Sequence, residues 1–124
     1  MLSALHNRAY QDFLILLTNF DNSIRNTSNR SSRLVVTQEF ASLQQWFEEN
    51  IGNLDEKEIE AAYIPRWQAV QREIEREFKL LITDILFLAS ARREATINKR
   101  TKSANDRISK LTSYCQGILQ EAQP

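Results

Sequence analysis

The residue whose setting most suggests chemistry is Asp84, the single charged side chain in the mostly apolar run Leu80–Ala91. A carboxylate in apolar surroundings can serve as a general acid or base, because burial raises its pKa. That chemistry needs a second titratable group nearby, and the only histidine, His6, lies close to the N-terminus. We therefore expect a structural or solvated carboxylate in preference to a catalytic one. Any cationic partner must come from another helix or from solvent, because Phe87 and Leu88 occupy the positions three and four residues on.

Patterns typical of catalytic or metal sites are absent from the sequence. It contains no Gly-rich phosphate loop, nucleophile elbow, helical two-His zinc motif or CysXXCys pair. One histidine cannot complete the Glu and GluXXHis set of helical di-metal bundles. Cys115 falls on an apolar stripe, where a small buried hydrophobe is more common than a reactive thiol. The sequence predicts a protein that is not an enzyme and that needs no cofactor or metal.

Charge is segregated along a chain that carries 16 basic and 16 acidic residues. Residues 39–60 hold seven acids and one base, whereas residues 92–110 hold seven bases and two acids. The basic segment could dock an acidic protein segment, since complementary fields steer association and fix orientation. Equally, both segments could be solvated helix faces, with charges placed where helix ends favour them.

The candidate partner-binding residues are the seven bases of the second segment. They are Arg92, Arg93, Lys99, Arg100, Lys102, Arg107 and Lys110. Nucleic acid is a weaker alternative partner, because no aromatic residues interleave with the bases and no recognised binding motif is present.

Five apolar residues fall beside the helical stripes rather than on them. We expect them to widen the core, in preference to forming an apolar patch for a partner or for a second copy of the chain. These residues are Leu14, Val35, Trp46, Leu80 and Phe87.

The elements that must position these residues are helices. The chain of 124 residues has only two glycines and two prolines, and helix-forming residues are plentiful. Apolar residues recur at three- and four-residue steps within Leu2–Phe20, Val36–Ile51, Trp67–Leu88 and Ile97–Ala122. The sequence therefore predicts one all-α domain over residues 1–124, an antiparallel helical bundle of about four helices.

Short polar residues and one glycine mark the ends of the first two helices. The segment Asp21–Ser32 predicts a loop, because its side chains compete for backbone hydrogen bonds. Ser31 or Ser32 can cap the second helix, and Gly52 suits a left-handed cap at its end. We also expect the C-terminal tail, residues 120–124, to fray.

A capping box and a proline mark the third helical stretch. Asp55 and Glu58 have capping-box spacing, which predicts a helix start near Glu56. Pro65 then allows two arrangements, because a proline inside a helix costs about 3 kcal/mol. Either a short helix ends near Tyr63 and a long one begins at Pro65, or one long helix is kinked there. We favour the break.

The last two stripes need a reversal between them. One helix from Pro65 past Leu111 would be about 70 Å long, which is improbable in a small domain. We place the turn at Arg93–Thr96, with Thr96 as a plausible cap.

The chain carries no apparent export or membrane signal. Its apolar run at Phe13–Leu17 is too short for a signal-peptide core, and no apolar run reaches the roughly 20 residues of a spanning helix. A lone cysteine suits a reducing compartment. We expect a soluble, cytoplasmic protein.

Three stretches resemble the cyanobacterial heterocyst frequency control protein family, PatD. They are DILFLASARREAT at Asp84–Thr96, DRISKLTSYCQGIL at Asp106–Leu119 and HNRAYQDFL at His6–Leu14. Residues 23–60 show no match to the family. The family's turn between the last two helices is expected to contain a proline, and this chain has Glu94 and Ala95 there.

This resemblance implies a small non-enzymatic regulator that binds the tubulin-like division protein FtsZ and tunes how many cells of a filament differentiate. FtsZ-type proteins are acidic and carry a short recognition tail, so we expect the contact on the basic surface of the fourth helix. The alternatives are a self-associating structural bundle, including a homodimer, and an adaptor with an unrelated partner.

Overall fold

Four α-helices and one 3-10 turn form the computed structural model, which describes residues 2–25 and 30–121. The helices are α1 (Ala4–Arg25), α2 (Arg30–Asn50), α3 (Ile64–Ser90) and α4 (Glu94–Glu121), with the 3-10 turn at Ala61–Tyr63. No strand occurs in the described ranges, so the all-α prediction is confirmed. None of the described helices is long and apolar enough to cross a membrane.

The helices form an up-down-up-down bundle in which each packs against two neighbours. α1 contacts α2 and α4, and α3 contacts α2 and α4, with the most extensive contact between α3 and α4. Two features therefore share one end of the bundle: the start of α2 and the turn between α3 and α4. The acidic residues that follow α2, within residues 51–60, lie at the opposite end of the bundle. The prediction of an antiparallel bundle is confirmed.

The apolar stripes of all four helices meet in one core whose centre is aromatic. The rings of Phe47 and Phe78 stack with centroids 3.9 Å apart and planes 2° apart. Phe13 packs against both of them from α1, and Phe40 from α2 lies 5.5 Å from Phe78. The aromatic residues at helical spacing therefore hold the bundle together. Leu16, which lies three residues after Phe13 and four before Phe20, is only partly buried.

A chain of buried hydrogen bonds, which the sequence did not reveal, links α1 and α3 to the end of α2. The Trp67 indole donates to the Tyr10 hydroxyl at 2.8 Å, and that hydroxyl donates to the Gln71 Oε1 at 2.7 Å. Gln71 Nε2 in turn donates to the Ile51 carbonyl at 2.7 Å. Burial holds the pKa of the Tyr10 hydroxyl well above its usual range.

The predicted left-handed glycine cap at the end of α2 is wrong. No described residue has a positive φ, Gly52 included. The amides of Ile51 and Gly52 both donate to the Phe47 carbonyl, at 2.8 and 2.9 Å, and close the helix without a left-handed residue. A Cβ at Gly52 would lie 3.3 Å from the Glu48 carbonyl oxygen, which is a tight contact.

The predicted helix start near Glu56 is also wrong, because residues 51–60 form turns and bends. Asp55 accepts from the Lys57 amide at 3.0 Å, which is a local turn bond and not a capping box. The Asp55 carbonyl accepts from His6 Nε2 at 2.8 Å, so the segment is tied to α1. Pro65 lies in the first turn of α3, so the long helix begins at the proline as favoured, but the short helix expected before it is reduced to the 3-10 turn Ala61–Tyr63.

The loop predicted at residues 21–32 is shorter than expected at both ends. α1 continues to Arg25 because Ile24 is fully buried and Arg25 pairs with Asp21 at 3.0 Å. α2 already begins at Arg30, so the two serines proposed as caps, at positions 31 and 32, lie in its first turn. The remaining positions of the predicted loop, 26–29, lie outside the described residues.

The turn predicted at Arg93–Thr96 begins earlier. α3 ends at Ser90, the connection is residues 91–93, and Thr96 lies inside α4 instead of capping it. The Ser90 hydroxyl and the Ala91 amide bond back to carbonyls of the last turn at 3.3 Å, which ends α3 there. At the other end, α4 continues through residues 120 and 121 of the predicted tail. Positions 122–124 lie outside the described residues.

Candidate functional site

Asp84 faces α4 and is bonded by donors from that helix. It is only 4% exposed. Arg100 Nη1 donates to its Oδ1 at 3.2 Å, and the Ser103 hydroxyl donates to its Oδ2 at 2.7 Å. Arg107 Nε lies 3.9 Å from the same Oδ2. The cationic partner of Asp84 therefore comes from another helix, α4. These contacts support a structural role for Asp84, in which it holds α3 and α4 together.

A second buried carboxylate, Glu77, was not singled out from the sequence. Its side chain is 0% exposed, and it lies seven residues before Asp84 on the same face of α3. Arg107 Nη1 donates to its Oε2 at 3.2 Å, and Arg76 Nη2 donates to its Oε1 at the same distance. The sequence did contain a signal for these ion pairs. Glu77 and Asp84 are seven residues apart on α3, and Arg100 and Arg107 are seven residues apart on α4.

Two of the seven candidate partner-binding residues are therefore engaged inside the protein. The side chains of Arg100 and Arg107 are 28% and 27% exposed and pair with carboxylates of α3. The prediction that both belong to a free basic surface is therefore corrected. In the antiparallel pairing of α3 and α4, their side chains point toward α3. A charge reversal at Arg100 would disturb helix packing as well as any partner contact.

The other five candidates are exposed and form no ion pair with any described residue. Arg92 and Arg93 lie in the turn between α3 and α4. The other three, Lys99, Lys102 and Lys110, lie along the outer face of α4 at helical spacing, where Asp106 is the one acidic neighbour in their row. These five residues are called the outer basic face below.

Exposed apolar side chains lie beside the turn between α3 and α4. Leu86 and Phe87 are 64% and 50% exposed, and the Arg100 guanidinium carbon lies 4.3 Å from the centroid of the Phe87 ring. Of the residues predicted beside the stripes, Leu14 and Trp46 are half-buried against the core, as expected. Leu80 is also half-buried, whereas Val35 and Phe87 are exposed.

A polar cleft of about 640 Å³ opens at the same end of the bundle. It is lined by Arg33 from α2 and by Ala89, Ser90, Ala91 and Arg92 at the end of α3. The Arg33 Nε is buried and has no hydrogen-bond partner among the described residues. Sequence reasoning missed Arg33, because it lies far along the chain from the basic segment and only the antiparallel path of α2 brings it to Arg92.

The remaining candidate for chemistry, Cys115, is buried. Burial raises the pKa of its thiol to about 12, which keeps the thiol protonated at neutral pH.

No group of three or more His, Cys, Asp or Glu side chains in residues 2–25 and 30–121 is placed to hold a metal ion. His6, close to the N-terminus, is buried between Ser3 and the Asp55 carbonyl.

Comparison of the chain with models of known protein families, with curated proteins and with solved structures finds no match. The resemblance to the PatD family therefore rests on the residues quoted for it.

Proposed function

We propose that the protein is a non-enzymatic, cytoplasmic regulator that works by binding an acidic protein, with FtsZ as the partner that the resemblance to PatD implies. The observation that carries the proposal is the outer basic face. Its five positively charged side chains lie along the turn between α3 and α4 and along α4 itself. Each of them lacks an internal counter-ion among the described residues, so their field acts on whatever approaches.

The expected mode of binding is steering by charge followed by apolar contact. Exposed ion pairs are worth at most about 1 kcal/mol each, so several are needed for useful affinity. Their reach falls off over about 8 Å at physiological ionic strength, which makes the complex sensitive to salt. Leu86 and Phe87, which are exposed near the end of α3, supply apolar area that charge alone does not.

Binding of purified cyanobacterial FtsZ, followed by biolayer interferometry over a salt series, tests the proposal. The informative variant is Lys99→Glu with Lys102→Glu, because both side chains are exposed and neither forms an ion pair with a described residue. Arg72→Glu with Lys79→Glu is the matched control, since it makes the same charge change at exposed positions of α3. We expect the first variant to weaken binding and the control to leave most of it. Equal binding by both variants, or no binding of FtsZ by the unmodified chain, would refute the proposal.

Self-association is the second candidate function, and the exposed apolar residues at the α2 and α3 ends favour it. Leu34, Val35, Leu86 and Phe87 are each at least half exposed. If these residues form an interface between copies, sedimentation velocity will show an oligomer of the isolated protein that Leu86→Ser with Phe87→Ser dissociates. A monomer at all concentrations would exclude this function.

A further inference from the structure

The cleft between the start of α2 and the turn after α3 is lined by basic residues that pair with no described carboxylate. Its described lining holds two arginines, Arg33 and Arg92, and no carboxylate. We propose that this cleft binds a carboxylate of an acidic peptide segment that also carries large apolar side chains. The inference deepens the proposed function, on which it rests for the idea that the natural ligand is a protein.

The state of Arg33 is the first support. Its side chain is partly buried, it makes no ion pair with a described residue, and its Nε is covered without an acceptor. The neighbouring end of α3 favours a cation, which explains why a guanidinium is tolerated there. The dipole at the end of α3 does not give the Arg33 Nε a hydrogen-bond acceptor. A partly desolvated charge without a counter-ion is costly. A carboxylate entering the cleft would pair with the guanidinium in its preferred forked geometry.

Arg92 makes the site specific for a negative group. It lines the same cleft from the turn, so the described lining of one volume of about 640 Å³ includes two cationic residues. Such a volume holds one or two side chains of a peptide and is too small for a folded domain. The ligand is therefore a segment that reaches into the bundle end.

The apolar surroundings distinguish a peptide from an inorganic anion or a nucleic acid. Leu86 lies three and four residues before Ala89 and Ser90, so it projects from the side of α3 that lines the cleft. It is 64% exposed, and Phe87 beside it is 50% exposed. A peptide whose carboxylate sits between the arginines can lay an apolar side chain on Leu86. A phosphate group or a sugar-phosphate backbone offers nothing to this surface.

Fluorescence anisotropy with a labelled synthetic peptide of alternating Asp and Leu residues tests the proposal on the full chain. Two control peptides replace either every Asp by Asn or every Leu by Ser. Since charge-assisted pairs are among the stronger hydrogen bonds, Arg33→Gln and Arg92→Gln should each weaken binding of the Asp-Leu peptide by roughly tenfold. Arg72→Gln, at an exposed position of α3, is the matched control and should leave affinity within about twofold. Both control peptides should bind more weakly.

Unchanged affinity in both Arg33→Gln and Arg92→Gln, or equal binding of the Asn peptide, would overturn the proposal. Far-UV circular dichroism checks that each variant is folded. If Arg33→Gln loses helicity, Arg92→Gln decides, because Arg92 is exposed in the turn.

The same variants separate this inference from the proposed function. If FtsZ binding is lost with Lys99→Glu and Lys102→Glu and is unchanged with Arg33→Gln and Arg92→Gln, the function stands and the cleft proposal falls. If the peptide needs Arg33 and the chain does not bind FtsZ, the partner proposal falls and the cleft proposal stands.

Discussion

Glu77→Ala should be among the most destabilising single substitutions on the contact face of α3. The carboxylate is completely buried and accepts from Arg107 and Arg76, both at 3.2 Å. Arg76 is 58% exposed and retains Glu73 at 3.0 Å, so it loses little. Arg107 would keep only Asp84, at 3.9 Å, and its Nε already lacks a hydrogen bond.

The magnitude follows from what Arg107 would lose. Breaking a buried ion pair by removing one partner costs about 3–5 kcal/mol, because the other charge is left uncompensated. Arg107 is 27% exposed, so water can reach part of it, and the lower end of that range applies. We expect about 3 kcal/mol, which corresponds to a fall in Tm of roughly 10 °C for a domain of this size.

Urea unfolding followed by far-UV circular dichroism measures this change, with the slope of the transition as a check on two-state behaviour. The single variants Glu77→Leu and Arg107→Met and the variant that carries both substitutions form a double-mutant cycle with the unmodified chain. Replacing both charges by apolar side chains should restore most of the stability, because no buried charge is left alone. A loss below about 1 kcal/mol in Glu77→Ala, or a double variant as unstable as the sum of the single variants, would refute this account of the α3–α4 contact.

Three further predictions concern two buried groups of the core, Tyr10 and Cys115. Tyr10→Phe should cost about 1–3 kcal/mol, because it leaves the Trp67 indole without an acceptor and Gln71 without a donor; urea unfolding measures the loss, and wild-type stability would contradict it. Cys115 should react with a thiol reagent only when the protein unfolds, since burial raises the pKa of its thiol to about 12, and rapid labelling of the native protein would contradict this. The unfolded thiol has a pKa of about 8.5, so its contribution to stability is complete below that pH and is lost as the pH rises toward the folded value. Cys115→Ala should therefore reduce the loss of stability between roughly pH 8.5 and 10.

The helices could be predicted because their signal is repeated along the chain. The stripe from Trp67 to Leu88 is buried at every predicted step, and the break at Pro65 follows from the missing amide of proline. Helix ends were harder to predict. Gly52, Asp55 and Thr96 each have the residue type of a cap, yet the ends are fixed by backbone bonds and by contacts with distant residues such as His6.

The candidate site was predicted only in part, for a related reason. A basic segment shows that cations are present, but the register between two helices decides which of them face inward. Arg100 and Lys102 are two residues apart, and one pairs with Asp84 while the other is exposed. Arg33 could not be predicted at all, because its neighbours in the cleft come from a helix that begins after residue 60.

The two buried carboxylates set the register of α4, and that register creates the outer basic face. In the observed pairing Glu77 faces Arg107 and Asp84 faces Arg100. Sliding α4 by one helical turn would bring Ser103 or Leu111 opposite Glu77, which would leave the buried carboxylate with only the exposed Arg76 of its own helix and so make its burial more costly. Apolar contacts tolerate such a slip far better than charges do, since small and large hydrophobes can repack. The ion pairs therefore fix the register between α3 and α4. A substitution that removes them should lower the stability of the bundle and should also change which cations of α4 are exposed to a partner.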